Sequence, residues 1–297
     1  MAASSGVQPG KELVVHAAIL SFDITVGEGI THKYPTDTAL PIAGDRLAAV
    51  AMPEGSHKVS EDHTFLLARD SVSGEQLFGI AYFHNRRDPS VPRGAIMKSI
   101  VLLARRPFFA FYLPLVRAAL LQHLDAKDDS VLAHLVSRIN QLAASRQLGN
   151  SYEDTITLFG QGPFAVDMPA TLSPDSFGLE RGALLLLVQR FRLDTMLIWW
   201  ALLLHVRLLF VGHPASAVGT CCLAAPLLVA PVDRSPSKPC IHTRTMHFTN
   251  TQPTFARAFA LATASSTASP RFSLHTCLFH ILSPSRASPL AADTLRE

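Results

Sequence analysis

The apolar positions of the first hundred residues fall in short β-rich runs set apart by polar punctuation. Leu13 to Phe22 and Ile30 to Tyr34 flank Gly27-Glu28-Gly29, which predicts a hairpin closed by Pro35. After a loop rich in Pro, Gly and Asp come three more runs, Thr64 to Ala68, Leu77 to His84 and Ile96 to Leu103, with Gly74 in the short link between the first two favouring antiparallel pairing. From Pro107 the period changes. Phe108 to Leu124 carries apolar residues around most of a helical circumference, and Pro114 is expected to kink or split that helix. A second helix begins at Asp129 or Ser130, places Leu132, Leu135, Val136, Ile139 and Leu142 at three- and four-residue steps, and ends before Gly149. Strands followed by two helices imply an α+β layer whose helices cover one face of a mainly antiparallel five-stranded sheet.

Residues 149–182 concentrate Gly and Pro among polar residues and read as a linker. Beyond them a helix through Leu193 to His205, a strand from Val206 to Val211 and a helix from Ser216 to Leu228 open an α/β layer, with the strand expected to be buried on both faces. That layer stops near Val232. Residues 233–297 are rich in Ser, Thr and Pro and contain no Gly, Tyr or Trp, the composition of a disordered tail or of an aberrant reading frame. The expected organisation is a disordered N-terminus at 1–12, a sheet module at 13–148, the linker at 149–182, a truncated α/β module at 183–232 and the tail at 233–297.

Charge narrows the function. Lys plus Arg at 26 against Asp plus Glu at 23 gives +3, and the excess sits in the tail, so the body lacks the basic field that nucleic acid requires. Cys221, Cys222, Cys240 and Cys277 form no paired metal or disulfide spacing, which fits a reducing, cytoplasmic setting. No signal-peptide pattern opens the chain. Ala183 to Val211 is the most apolar stretch, yet Arg190, Arg192, Asp194 and Arg207 interrupt it, so no transmembrane span is expected.

Covalent chemistry finds no foothold in the motifs. G-x-S-x-G and the phosphate-binding P-loop are absent, and Gly27 and Gly29 lack the third glycine and following helix of a dinucleotide site, so no catalytic residue and no cofactor is expected. His205 and His213 stand without a neighbouring carboxylate and read as structural, and no metal site is expected. Glu61-Asp62 and Asp128-Asp129 read as a solvated face and a helix cap. Arg105 and Arg106 precede Phe108 and Phe111; the plain reading is a core helix with snorkelling arginines, and the sharper one is a partner surface.

Four stretches carry a resemblance: FDITVGEGITHKYP from Phe22, AMPEGSHKVSEDHTFLL from Ala51, LFGIAYFHNR from Leu77 with RGAIMKSIVLLARRPFFAFY from Arg93, and HVRLLFVGHPASAVGTCCLAAPLL from His205. In this order they resemble the N-terminal part of DENN-domain proteins, of the late-secretory branch containing the Avl-nine and DENND-six groups. The resemblance implies a longin-like upstream module, then the start of a central DENN module, together forming a platform for a Rab-type small GTPase. It further implies guanine-nucleotide exchange by differential binding of nucleotide states, with no cofactor and no covalent step. It places the chain on Golgi or secretory vesicle membranes as a peripheral protein. Phe22, Gly29, Tyr34, Pro35, Pro53, Gly55, Phe78, Gly79, Lys98 and Ser99 match the family's motifs, mostly as fold determinants. A chain whose central module ends near Val232 is expected to lack part of the exchange surface, and a non-enzymatic longin-like trafficking adaptor is the alternative.

Overall fold

The computed structural model describes residues 12–23, 25, 27–52, 59–70, 73–92, 94–126, 128, 130–147, 155–165, 179, 182–204, 207–229 and 278–282. Five strands, β1 (Val14–Asp23), β2 (Gly27–Tyr34), β3 (Glu61–Arg69), β4 (Gln76–Arg87) and β5 (Ala95–Ala104), form one sheet in the order β2-β1-β5-β4-β3, every neighbouring pair antiparallel. The β1–β2 hairpin is present, but Gly29 lies within β2 opposite Ser21, so the turn precedes the expected Gly-Glu-Gly.

Side chains alternate across this sheet, and both faces are covered. Ile19, Ile80, Tyr82, Ile100 and Leu102 point to one side, against α2 (Phe109–Ala126) and α3 (Val131–Gln147). Leu20, Leu77, Phe83, Val101 and Leu103 point to the other, against α1 (Gly44–Ala51). The expectation of helices on one face alone is therefore corrected. An eight-residue helix is too short to announce itself by propensity, and α1 holds through Leu47, Ala48 and Ala51 packed into the second core.

The helix α2 runs unbroken through Pro114, contrary to the expected kink or split. An interior proline costs a helix about 3 kcal/mol; burial of Leu115, Val116, Ala119 and Leu120 around it offsets that loss. Asp128 accepts bonds from the Ser130 backbone N–H and hydroxyl, both at 2.8 Å, just before α3 starts, which is the capping role expected of it. These bonds also hold the Asp128 carboxyl below its ordinary range. Asn140 clamps α3 to β1, accepting from the Val14 N–H at 2.8 Å and donating to the Val14 carbonyl at 3.0 Å.

The stretch expected as a plain linker contains a hairpin, β6 (Thr155–Leu158) and β7 (Gln161–Ala165). Phe159 and Gly160 both take positive φ, the requirement of a tight two-residue hairpin turn. Ile156 and Leu158 alternate inward and join the core under α2 and α3.

Downstream come α4 (Ala183–Phe191), a 3-10 turn, α5 (Thr195–Leu203), β8 (Arg207–Val211), α6 (Ala215–Ala224) and a closing 3-10 turn. The one described stretch of the tail, β9 (Leu278–Leu282), pairs antiparallel with β8. In a sheet of two strands Leu208, Leu209 and Phe210 are half-buried, which corrects the expectation of burial on both faces. Among the described residues no helix is long and apolar enough to cross a membrane.

Candidate functional site

The α4–α6 region meets the sheet module where α6 packs on the edge strand β3, and a buried carboxylate makes the joint. Asp62 is 6% exposed. Its Oδ2 accepts the Ala215 N–H at 2.9 Å and its Oδ1 accepts the Ser216 N–H at 3.1 Å, with the adjacent His63 N–H also donating at 2.9 Å. A helix N-terminus presents unsatisfied N–H groups and a partial positive charge, and α6, preceded by Pro214, has no capping side chain of its own. Asp62 supplies that cap from 153 residues away in sequence.

Close approach at the joint depends on Gly219. A Cβ there would stand 2.7 Å from Cδ2 of Phe65, so the absence of a side chain lets α6 press onto β3. Phe65 in turn packs against Phe109 in a tilted contact at 4.8 Å and meets the His63 ring edge-on at 5.3 Å.

Beside this contact opens a groove of about 420 Å³. His63, Phe65, Phe109 and Leu113 form its floor; α4 and α6 form its walls, with Gln189, Ser216 and Thr220 as polar points. The lining is an apolar surface dotted with neutral hydrogen-bonding groups. It offers recognition of a partner's apolar side chain, and among the described residues that line it there is no Asp or Glu. Among the described residues no three His, Cys, Asp or Glu side chains gather as a metal-binding group.

A second polar cluster sits where β3, β4 and α2 converge. The Tyr82 hydroxyl donates to Glu61 Oε2 at 2.5 Å, and Arg117 donates to the same oxygen through Nη2 at 3.0 Å and to the Tyr82 hydroxyl through Nε at 3.1 Å. The tyrosine bond, followed by the arginine bond, holds the Glu61 carboxyl below its ordinary range. Burial, reinforced by Glu61, pushes the Tyr82 phenol well above its own. Nearby, Lys98 Nζ lies 2.8 Å from His123 Nε2.

The residues singled out by sequence do not converge on one spot. Phe22 and Tyr34 are half-buried against opposite faces of the sheet, Gly29 sits in β2, and Pro35 follows it, half-buried. Ser99 is buried and donates to the Tyr82 carbonyl at 3.1 Å. Phe78 is half-buried, and a Cβ on Gly79 would lie 2.5 Å from Leu66 Cγ and 2.7 Å from Leu103 Cδ2, so glycine is required for packing. Pro53, Gly55 and His205 lie outside the described residues.

Phe108 and Phe111, read as a partner surface, are 8% and 1% exposed and belong to the core; the expectation is corrected for both, because Phe108 just before α2 and Phe111 within it pack into the core beneath the helices. Arg105 is tied to Glu75 and to the Glu12 carbonyl, while Arg106 stays exposed. Sequence reasoning missed Gly219 and the distant role of Asp62. The one available signal was the missing cap before α6.

The two-layered sheet module, its joint to α6 and the groove between them lie within one stretch of chain, and the comparison with known families covers that stretch. The sequence model of a family described as transport protein Avl9 matches residues 14–231, more than half of the chain. The chain belongs to the transport protein Avl9 family. The match spans β1 through β8 and α6, so the Avl9 assignment takes in both sides of the groove and its role is in transport. Comparison with individual curated proteins returns no match.

Proposed function

We propose that this chain acts in vesicle trafficking by holding a Rab-type small GTPase against the groove where β3 and α2 meet α4 and α6, and that it favours the nucleotide-free state of that GTPase. The observation that carries this reading is that the Avl9 match runs through both walls of the groove and the Asp62 joint between them. The chemistry fits: exchange needs a surface that binds one conformation of a partner more tightly than another, with no bond made or broken in the factor itself. An apolar groove with Gln189, Ser216 and Thr220 at its edge suits the mixed surface of a GTPase switch region. On this reading the protein works in the cytoplasm, peripherally on Golgi or secretory vesicle membranes.

The test is nucleotide release from a panel of Rab proteins loaded with a fluorescent GDP analogue, together with pull-down of the same panel. Accelerated release by the chain, lost on Phe65→Ala with Thr220→Arg, supports the reading. No capture and no acceleration across the panel, by this chain and by one carrying a longer central module, removes it. Capture without acceleration selects the longin-like adaptor instead.

A further inference from the structure

The α4–α5 helices carry an apolar ridge that nothing in the described chain covers. Leu193 is 88% exposed and Trp200 57%, and Leu185, Met196, Leu197 and Leu204 are each at least half exposed. Met196, Leu197 and Trp200 line one side of α5, with Leu193 in the turn before it and Leu204 just after it, while Thr195, Ile198 and Ala201 on the other side are buried. The inward face of α5 is thus already used. The ridge is a second apolar face turned to water, which a soluble surface rarely tolerates as one contiguous patch.

We propose that this ridge is a membrane-contact surface that lies on an anionic lipid leaflet. Three features decide for lipid. Trp200 sits within the ridge, and an indole is the side chain best matched to the boundary between headgroups and acyl chains. Arg190 and Arg192 are exposed beside Leu193, at headgroup level once the leucines are immersed. The exposed charged residues beside the ridge are Arg190, Arg192 and Asp194, two cations to one anion, so the face is net cationic and complementary to acidic lipid. In a face-to-face pairing, the same patch of a second copy would set only Asp194 against Arg190 and Arg192. The nine residues of α5 rise about 14 Å, under half of the roughly 30 Å hydrocarbon thickness, so the helix lies in the surface and does not span it. The inference stands apart from GTPase binding, since the ridge and the groove lining share only Leu185.

The experiment is flotation of the full chain with vesicles of phosphatidylcholine alone and of phosphatidylcholine with about 30% phosphatidylserine, the anionic fraction that gives arginines a field to bind. Binding to the anionic vesicles at least about tenfold tighter, with a blue shift of tryptophan emission, is expected. Leu197→Glu with Trp200→Glu abolishes it while the circular dichroism and melting temperature stay unchanged, because both side chains already face water. Arg190→Gln with Arg192→Gln keeps the fold and removes the preference for anionic lipid. The proposal is overturned by failure to float with either vesicle or by vesicle binding that survives Leu197→Glu with Trp200→Glu. A two-chain mass in light scattering that falls to one in that double variant assigns the ridge to a second copy, and a drop of several degrees in its melting temperature assigns it to the chain's own remaining segments; either result also overturns the proposal.

Discussion

In the sheet module each face of one sheet receives its own helical layer, so Leu102 on one side and Leu103 on the other are both at most 1% exposed, whereas in the α4–α6 region Leu193 is 88% exposed. Both regions are built from leucine-rich segments. The difference lies in how many partners each segment finds: strands β1, β4 and β5 have a neighbour on both edges and a helix layer on each face, while α5 touches its own region with one side and meets water with the other. Burial of apolar surface is the dominant favourable term in folding, so the sheet module supplies most of the stability and α4–α6 depends on its joint to β3.

The sharpest break in that comparison is a pair of truncations. Leu102→Ala leaves a cavity in the middle of the sheet and should cost about 2–5 kcal/mol. Leu193→Ala, at a water-facing position, should change stability by no more than about 0.5 kcal/mol. Urea denaturation followed by far-ultraviolet circular dichroism measures both, and similar losses for the two would mean that the turn before α5 is covered in solution.

The joint comes next in size. Asp62→Ala leaves the first N–H groups of α6 without their acceptor and should cost about 2 kcal/mol, as expected for bonds to a charged group at a helix cap. Asp62→Asn should cost less, since a side-chain amide oxygen still caps. Hydrogen exchange locates the effect: amides of α4 and α6 should lose protection while those of β1, β4 and β5 keep it. Uniform loss would show that the two regions unfold as one unit.

Much of this architecture was legible in the sequence, and the exceptions have physical reasons. The five strands and α2 emerge from local patterning as apolar runs of the right length between turn residues, and α3 from a regular stripe of Leu132, Leu135, Val136, Ile139 and Leu142. The helix α1 and the β6–β7 hairpin stayed hidden because short elements carry too few positions to show a period; only Leu47, Ala48 and Ala51, or Ile156 and Leu158, mark them. The candidate groove was not legible at all. It depends on Asp62 reaching Ala215 and on Gly219 admitting Phe65, and no local pattern encodes a contact between residues so far apart in sequence.

Acid should also separate the regions. Burial, the leading cause, holds the His16 and His84 imidazoles below the ordinary value of 6.5, and both belong to the sheet module. For His16, Lys33 and Arg105 push further down against the opposing pull of Asp70; for His84, Arg117 and Arg86 push down against Glu61 and Asp125. A depressed folded value means that the unfolded chain binds more protons, so this stability is complete above pH 6.5 and drains away as pH falls through the folded values. A melting temperature that declines from pH 7.5 to 5.5, with a shallower decline in His16→Phe, is expected; a flat profile in the parent chain would contradict it.

The smallest effect concerns the Glu61–Tyr82–Arg117 cluster, and it tests whether geometry or charge governs a half-exposed site at the rim of the sheet module. Arg117 and Glu61 are 53% and 43% exposed, so solvent screens their attraction and Arg117→Ala should cost no more than about 0.5 kcal/mol. The carboxyl of Glu61 reports more finely than stability does. Its largest downward influence is the short bond from the Tyr82 hydroxyl, ahead of the bond from Arg117 and of that cation's charge. Tyr82→Phe should therefore raise the Glu61 titration midpoint, read by carbon-13 NMR of the side-chain carboxyl, more than Arg117→Ala does. The reverse order would mean that the cation dominates, as it does for pairs cut off from water. It would then follow that the rim of the sheet module is drier than its exposure indicates, and the contrast with the open face of α5 would be wider still.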